Sequence, residues 1–194
     1  MKFNFSRICL LTVVLQLLLI LLSWIVDAMQ WYEVNSLLSP LGIRWFLSQY
    51  SYNLATPLMV WIVLIACAYG AVKRAFSNVE NGKMKYQMRM ARMVISIVAL
   101  IIIGCIVLLT FVPQSLLMSS TGGLFPSPFS RSIVPITSVS VMVLSWIYGS
   151  IMGTVTSLDD IVGSLVHGIR IGAPILLLYM LVAQLYCSLL FVFS

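Results

Sequence analysis

Five stretches of this chain carry no charged residue and are long enough to cross a bilayer: residues 8–26, 54–72, 93–112, 133–155 and 173–193. A helix rising 1.5 Å per residue needs about 20 such residues to span the hydrocarbon layer. The rest of the composition agrees, since 61% of residues are hydrophobic and only 8% charged, against about 25% charged in a soluble domain. Lipid is therefore the expected solvent. The fold class that follows is an all-α polytopic membrane protein with five transmembrane helices, forming a single membrane domain over residues 1–194.

The first stretch follows Lys2 and Arg7 and so has the layout of a secretory signal. Its apolar run is longer than a signal's, however, and "SWIVDAMQWYE" offers no small-residue cleavage site, so it is expected to stay as an anchor. Cation placement sets the orientation. With the N-terminus in the cytoplasm, nine cations lie inside (Lys2, Arg7, Lys73, Arg74, Lys83, Lys85, Arg89, Arg92, Arg170) and two outside (Arg44, Arg131). That asymmetry follows the positive-inside rule and leaves the C-terminus on the outer, periplasmic side.

Two connections have helical patterning of their own. In "LLSPLGIRWFLSQYSYNL", Ser39 is placed to cap a helix with Pro40 at its first position, and Ile43, Phe46, Leu47 and Tyr50 share a face. This predicts an outer interfacial helix over about 40–52, anchored by Trp31, Trp45 and Tyr52. In "TSLDDIVGSLVHGIR", Ser157 caps, Asp159 and Asp160 sit at the positive end of the helix dipole, and Ile161, Val162, Leu165, Val166 and Ile169 share a face. A second, cytoplasmic interfacial helix is expected there over about 158–170. The basic segment "KRAFSNVENGKMKYQMRMAR" reads as a solvated loop held near anionic headgroups, not as a nucleic-acid site.

Few residues suggest chemistry. Cys9, Cys67, Cys105 and Cys187 stand singly in apolar runs and behave as small hydrophobes; no metal or cofactor site is expected. Asp27 closes the first span, where a carboxylate can take up a coupling proton or merely sit among outer headgroups. Asp159 and Asp160 point about 100° apart on a helix and cannot share a proton as a catalytic dyad does. His167 lies on the polar side of its helix, as a pH sensor or a solvated side chain. No span holds an ionisable residue at mid-bilayer, and nothing resembles a nucleophile–base pair or a P-loop, so no enzyme activity is expected. Ser145, Gly149 and Gly153 form a small-residue stripe for helix packing, and Ala66 with Gly70 a weaker one.

Several marks in order resemble those of the p-aminobenzoyl-glutamate transporter (AbgT) family of bacterial inner-membrane carriers. They are Leu38-Ser39-Pro40 with Gly42, Arg44 and Trp45; the Pro126-Ser127-Pro128-Phe129 knot; Arg131 through Pro135; Tyr148-Gly149; and Gly153-Thr154 with Ser157, Asp159 and Asp160. In the knot, Pro126 and Pro128 are expected to hold an extended outer loop, Arg131 to anchor it at the headgroups, and Pro135 to fall in the first turn of the fourth span. The resemblance implies an inner-membrane location and solutes such as p-aminobenzoyl-glutamate or sulfonamide-type antimetabolites. Members are more than twice this length and resemble elevator-type carriers with two re-entrant hairpins. This chain is expected to be a shortened member lacking both hairpin regions, so no substrate-contact residue is carried over.

Two functions stay open. One is a reduced transporter, acting as a homo-oligomer or with a second membrane polypeptide. The other is a non-transporting scaffold or small subunit that packs against partner helices. The bilayer is a partner of either, nucleic acid of neither, and the substrate is unknown.

Overall fold

The computed structural model describes residues 5–30, 35–77, 85–111 and 128–193. Regular structure among these residues is all α-helical: α1 (Phe5–Met29), α2 (Pro40–Leu54), α3 (Pro57–Phe76), α4 (Lys85–Phe111), α5 (Pro128–Met152) and α6 (Leu158–Val192). Five of them, all but α2, are long and apolar enough to cross a membrane. The chain divides into two compact units, Met1–Val60 with Ala173–Ser194, and Trp61–Gly172.

In the first unit the turn after α1 is tied to the end of α6. The Asn35 backbone N–H donates to the Val192 carbonyl at 3.1 Å, and the Leu37 N–H donates to Ser23 Oγ of α1 at 3.3 Å. Ser39 caps α2 as its position predicts: the Gly42 N–H donates to Ser39 Oγ at 3.0 Å, and Pro40 takes the first helical position, where a missing N–H costs nothing. Gly42 is required here, because a Cβ would lie 2.3 Å from the Ser36 carbonyl oxygen.

From this cap α2 runs antiparallel to the second half of α6. Trp45 stacks on Phe191 with ring centroids 4.4 Å apart, Asn53 Nδ2 donates to Gln184 Oε1 at 3.4 Å, and the Thr56 and Tyr179 hydroxyls bond to each other. The steps from Trp45 to Asn53 to Thr56 ascend while those from Phe191 to Gln184 to Tyr179 descend, over about 18 Å of helix. The expected outer helix therefore exists, but its contacts follow the length of α6 and do not lie across its end. The apolar face read as a membrane-surface stripe left out Asn53 and Thr56, and these polar groups find their partners on α6.

In the second unit α3 and the first half of α6 approach at van der Waals limits. A Cβ on Gly70 would lie 2.2 Å from the Ser164 carbonyl oxygen, one on Gly168 2.2 Å from the Ala66 oxygen, and one on Gly172 2.7 Å from the Ala66 Cβ. Small residues on both helices let the backbones close up, which is how helices associate where lipid removes the hydrophobic drive. Ala68, Ala71 and Met142 form the buried centre, with Leu64, Cys67, Trp146 and Leu165 packed around it. Trp146 donates its indole N–H to Ser164 Oγ at 3.4 Å, and α4 packs along α5.

The end of α5 explains two further glycines. Gly153 has φ of 68°, the left-handed region that a glycine enters without strain. With it the helix closes in a Schellman motif: the Gly153 N–H donates to the Ser150 carbonyl at 3.2 Å and the Thr154 N–H to the Gly149 carbonyl at 2.8 Å. A Cβ on Gly149 would lie 2.6 Å from Val155 Cγ2 in the segment that folds back. Gly149 and Gly153 thus shape the cap, while Ser145 is buried with its hydroxyl on the Val141 carbonyl.

Two expected boundaries are corrected. Helix α5 begins at Pro128, so Pro128 and Arg131 are helical and not part of an extended loop, and Pro135 lies in the helix interior; Pro126 lies outside the described residues. Pro128 at the first position costs no hydrogen bond, so the helix starts there, and α5 continues through Pro135 without its N–H. Likewise residues 158–170 are not a separate interfacial helix but the first half of the 35-residue α6, which runs through Pro174. At about 52 Å this helix exceeds the ~30 Å hydrocarbon layer. Its first turns, with Asp159 and Asp160, therefore extend past the apolar segment.

Candidate functional site

The chain breaks its helical course in the first unit between α2 and α3. Pro57 disfavours helical geometry at Thr56 before it, and Pro57 itself has no N–H to continue the ladder. Ala55 ends α2 with φ −76° and ψ 57°, and the Thr56 N–H turns back to the Leu54 carbonyl at 2.8 Å. Two stretches of helix are thereby interrupted opposite Tyr179, 21 residues into α6 by number from Leu158. Interrupted helices leave backbone donors and acceptors outside their helical ladders, the feature from which midplane solute sites are built.

A seam of neutral polar side chains continues from this break. Gln184, 6% exposed, accepts from Asn53; one turn on, Ser188, fully buried, accepts from Gln16 Nε2 of α1 at 2.9 Å. Two atoms in the seam are buried without a partner: Gln16 Oε1, an acceptor, and Gln184 Nε2, a donor. Buried polar atoms are almost always paired, so these two open positions, on amides whose other ends bond to Ser188 and Asn53, are an unfilled hydrogen-bonding capacity. The seam offers hydrogen bonds without charge, and the described residues contain no group of three His, Cys, Asp or Glu side chains placed to hold a metal ion.

Gln16 and Gln184 are neutral amides, so the absence of ionisable groups from the spans says nothing of them. The signal was present: Gln16 interrupts "LLTVVLQLLLILL" and Gln184 interrupts "LLLYMLVAQLYCSLL". Polar amides in such runs mark either helix contacts or a pathway.

A second cluster sits where α3 ends and α6 begins. Arg74 donates to Asp160 Oδ1 at 2.6 Å. The other oxygen of Asp160 accepts from the backbone N–H groups of Thr156 and Ser157 at 3.0 and 3.2 Å and from both their hydroxyls. In return the Asp160 N–H donates to Ser157 Oγ at 3.2 Å, a reciprocal capping box. The Thr156 N–H first, then Arg74, hold the Asp160 carboxyl well below the usual carboxylate range. Beside this clamp opens a cleft of about 420 Å³ lined by Lys73, Arg74, Ser77, Asp159, Asp160, Gly163, Ser164 and His167.

The remaining candidates are dispersed. Asp27 lies exposed in the last turn of α1 and is not among the hydrogen-bond partners of the seam. Arg44 is exposed on α2, Trp45 is the ring stacked on Phe191, and Tyr148 stacks on Phe76 with centroids 4.7 Å apart, joining the ends of α5 and α3. Ala66 and Gly70 face α6, as described above. The four cysteines are free.

Comparison with known families matches residues 68–191 to the AbgT putative transporter family. Neither the curated proteins nor the solved structures give a match. The matched segment runs from the middle of α3 almost to the end of α6 and covers well over half of the chain, including the Tyr148-Gly149 and Gly153 to Asp160 marks. With its long apolar helices, the chain is a transporter-related membrane protein, a member of the AbgT family.

Proposed function

We propose that the chain works in the bacterial inner membrane in passage of a small organic solute, with the interrupted helix and the amide seam of α1, α2 and α6 as the place that meets it. The observation that carries this is the pair of buried atoms without a hydrogen-bond partner among the described residues, Gln16 Oε1 and Gln184 Nε2, in the seam that leads from the helix break through Asn53. A purely structural seam would be expected to close its own hydrogen bonds, because each open buried group costs about 1–3 kcal/mol. Family membership supports solutes of the p-aminobenzoyl-glutamate or sulfonamide kind. Charge asymmetry supports a cytoplasmic N-terminus and a periplasmic C-terminus.

The test is equilibrium binding of p-aminobenzoyl-glutamate and of a sulfonamide to the purified chain in nanodiscs. Gln184→Leu and Asn53→Leu should each weaken binding about tenfold, the scale of one lost hydrogen bond in a buried setting. Gly104→Ala, on an open face of α4, should leave binding unchanged. Binding equal in all variants, or absent from the wild type, would remove the seam from solute handling. Mass spectrometry of the same preparation tests for a homo-oligomer or a second membrane polypeptide. A stable companion with no solute binding would instead identify the non-transporting scaffold.

A further inference from the structure

The cleft between the end of α3 and the start of α6 is walled by opposite charges. Lys73 and Arg74 stand on the α3 side; Asp159 and Asp160 stand on the α6 side, with His167 two turns along. Arg74 and Asp160 neutralise one another. Lys73 and Asp159 do not: both are exposed, and neither has an ionic partner among the described residues. An ammonium on one wall and a carboxylate on the other, held apart by about 420 Å³ of open space, are complementary to a dipolar ion whose anionic end meets Lys73 and whose cationic end meets Asp159. Gly163 in the cleft wall has nothing within 4 Å of where its Cβ would be, so a ligand can lie directly on the α6 backbone.

We infer that this cleft holds the headgroup of an ethanolamine phospholipid. Its phosphate and primary ammonium carry the two charges in one short unit, and the ammonium retains three N–H donors for a carboxylate. The cleft lies at the ends of apolar helices, the level at which headgroups sit. Beside it, one step round α6, Leu158, Val162 and Val166 are 79, 58 and 59% exposed, an apolar strip along which an acyl chain can lie. A free dipolar metabolite shares the headgroup chemistry but makes no use of that strip. The inference does not depend on the amide seam, whose residues are elsewhere in the chain.

The experiment is native mass spectrometry of the full chain, purified in mild detergent and exposed to equal amounts of phosphatidylethanolamine and phosphatidylglycerol with identical acyl chains. The wild type should retain the ethanolamine lipid about fivefold over the glycerol lipid, the scale of one charge near a membrane surface. Asp159→Asn should bring that ratio close to one. Lys73→Gln should reduce both adducts, and Lys73→Arg should restore them; circular dichroism confirms that each variant is helical. A wild type without the preference, or a preference that survives Asp159→Asn, overturns the inference. Soluble phosphoethanolamine in excess should leave the bound lipid in place, whereas displacement would make the free dipolar ion the ligand and refute the lipid assignment.

Discussion

Gly70 and Gly163 are both helical glycines near the end of the bundle of α3, α5 and α6, yet a methyl group would have opposite effects at the two. At Gly70 it would lie 2.2 Å from the backbone oxygen of Ser164, which cannot move without moving α6; at Gly163 it would enter open space. Gly70→Ala should therefore lower unfolding stability by about 1–3 kcal/mol, as overpacking does. Gly163→Ala should raise it by about 0.5–1 kcal/mol through helix propensity. Thermal or denaturant unfolding in detergent, followed by circular dichroism, reads both, and equal effects would contradict the close approach of the two helices. The sequence marks Ala66 and Gly70 as small, but it cannot say which helix they meet. Gly153 shows the limit more sharply: its spacing from Ser145 and Gly149 suits a packing stripe and a C-cap equally, and only its φ of 68° separates the two.

At the scale of elements, the start of α6 hangs on one carboxylate. Asp160 closes a capping box with Ser157 and ties α6 to Arg74 of α3. Asp160→Ala should loosen the cap, and hydrogen exchange should rise over residues 157–163 with little change at the far end of α6. Because the folded carboxyl is held below its usual range, its contribution is present above the unfolded value of about 3.9 and is lost only as pH falls through the lower folded value. Protection of these amides, corrected for intrinsic exchange, should thus stay level from pH 8 to about pH 5. The capping residues Ser39 and Ser157 were legible in the sequence because a cap is a local pattern. Element boundaries were not. Pro135 read as a first-turn residue, since proline suits a first turn, but it lies inside α5, as Pro174 lies inside α6. For α2 the decisive groups are Asn53 and Thr56, whose partners lie well over a hundred positions away. A helix running along α6 should make Asn53→Cys, half-buried where it meets Gln184, react more slowly with a membrane-impermeant maleimide in a cysteine-free chain than Arg44→Cys, which is exposed. A surface helix would give similar labelling at both positions.

For the whole molecule, the number of helices long and apolar enough to cross a membrane was legible because it depends only on lengths of uncharged sequence, and these helices are largely uncovered. In the spanning windows of α1 and α4 only 6% of residues are buried, against 28% in α3, so lipid is the natural neighbour of α1 and α4. The amide seam was not legible, since whether Gln16 and Gln184 meet a partner or a lipid depends on how the helices turn. Orientation is expected from a different quantity, the placement of cations: with a cytoplasmic N-terminus, nine would fall inside and two outside. That count assumes that each of the five apolar helices crosses once, which would leave Arg7, Arg74, Arg89 and Arg170 on the same side of the membrane and Arg44 on the other. Translocating a cluster of Lys and Arg in a short loop is disfavoured, so the face with nine cations should be cytoplasmic. In intact cells an impermeant maleimide should therefore modify Arg44→Cys, while Arg89→Cys should react only after the membrane is permeabilised. Each substitution changes the cation difference by one, too little to reverse the bias. The opposite labelling pattern would mean that the asymmetry does not govern insertion here, and labelling of both sites in sealed cells would mean that the number of crossings between Arg44 and Arg89 is even, one fewer than α3 alone supplies.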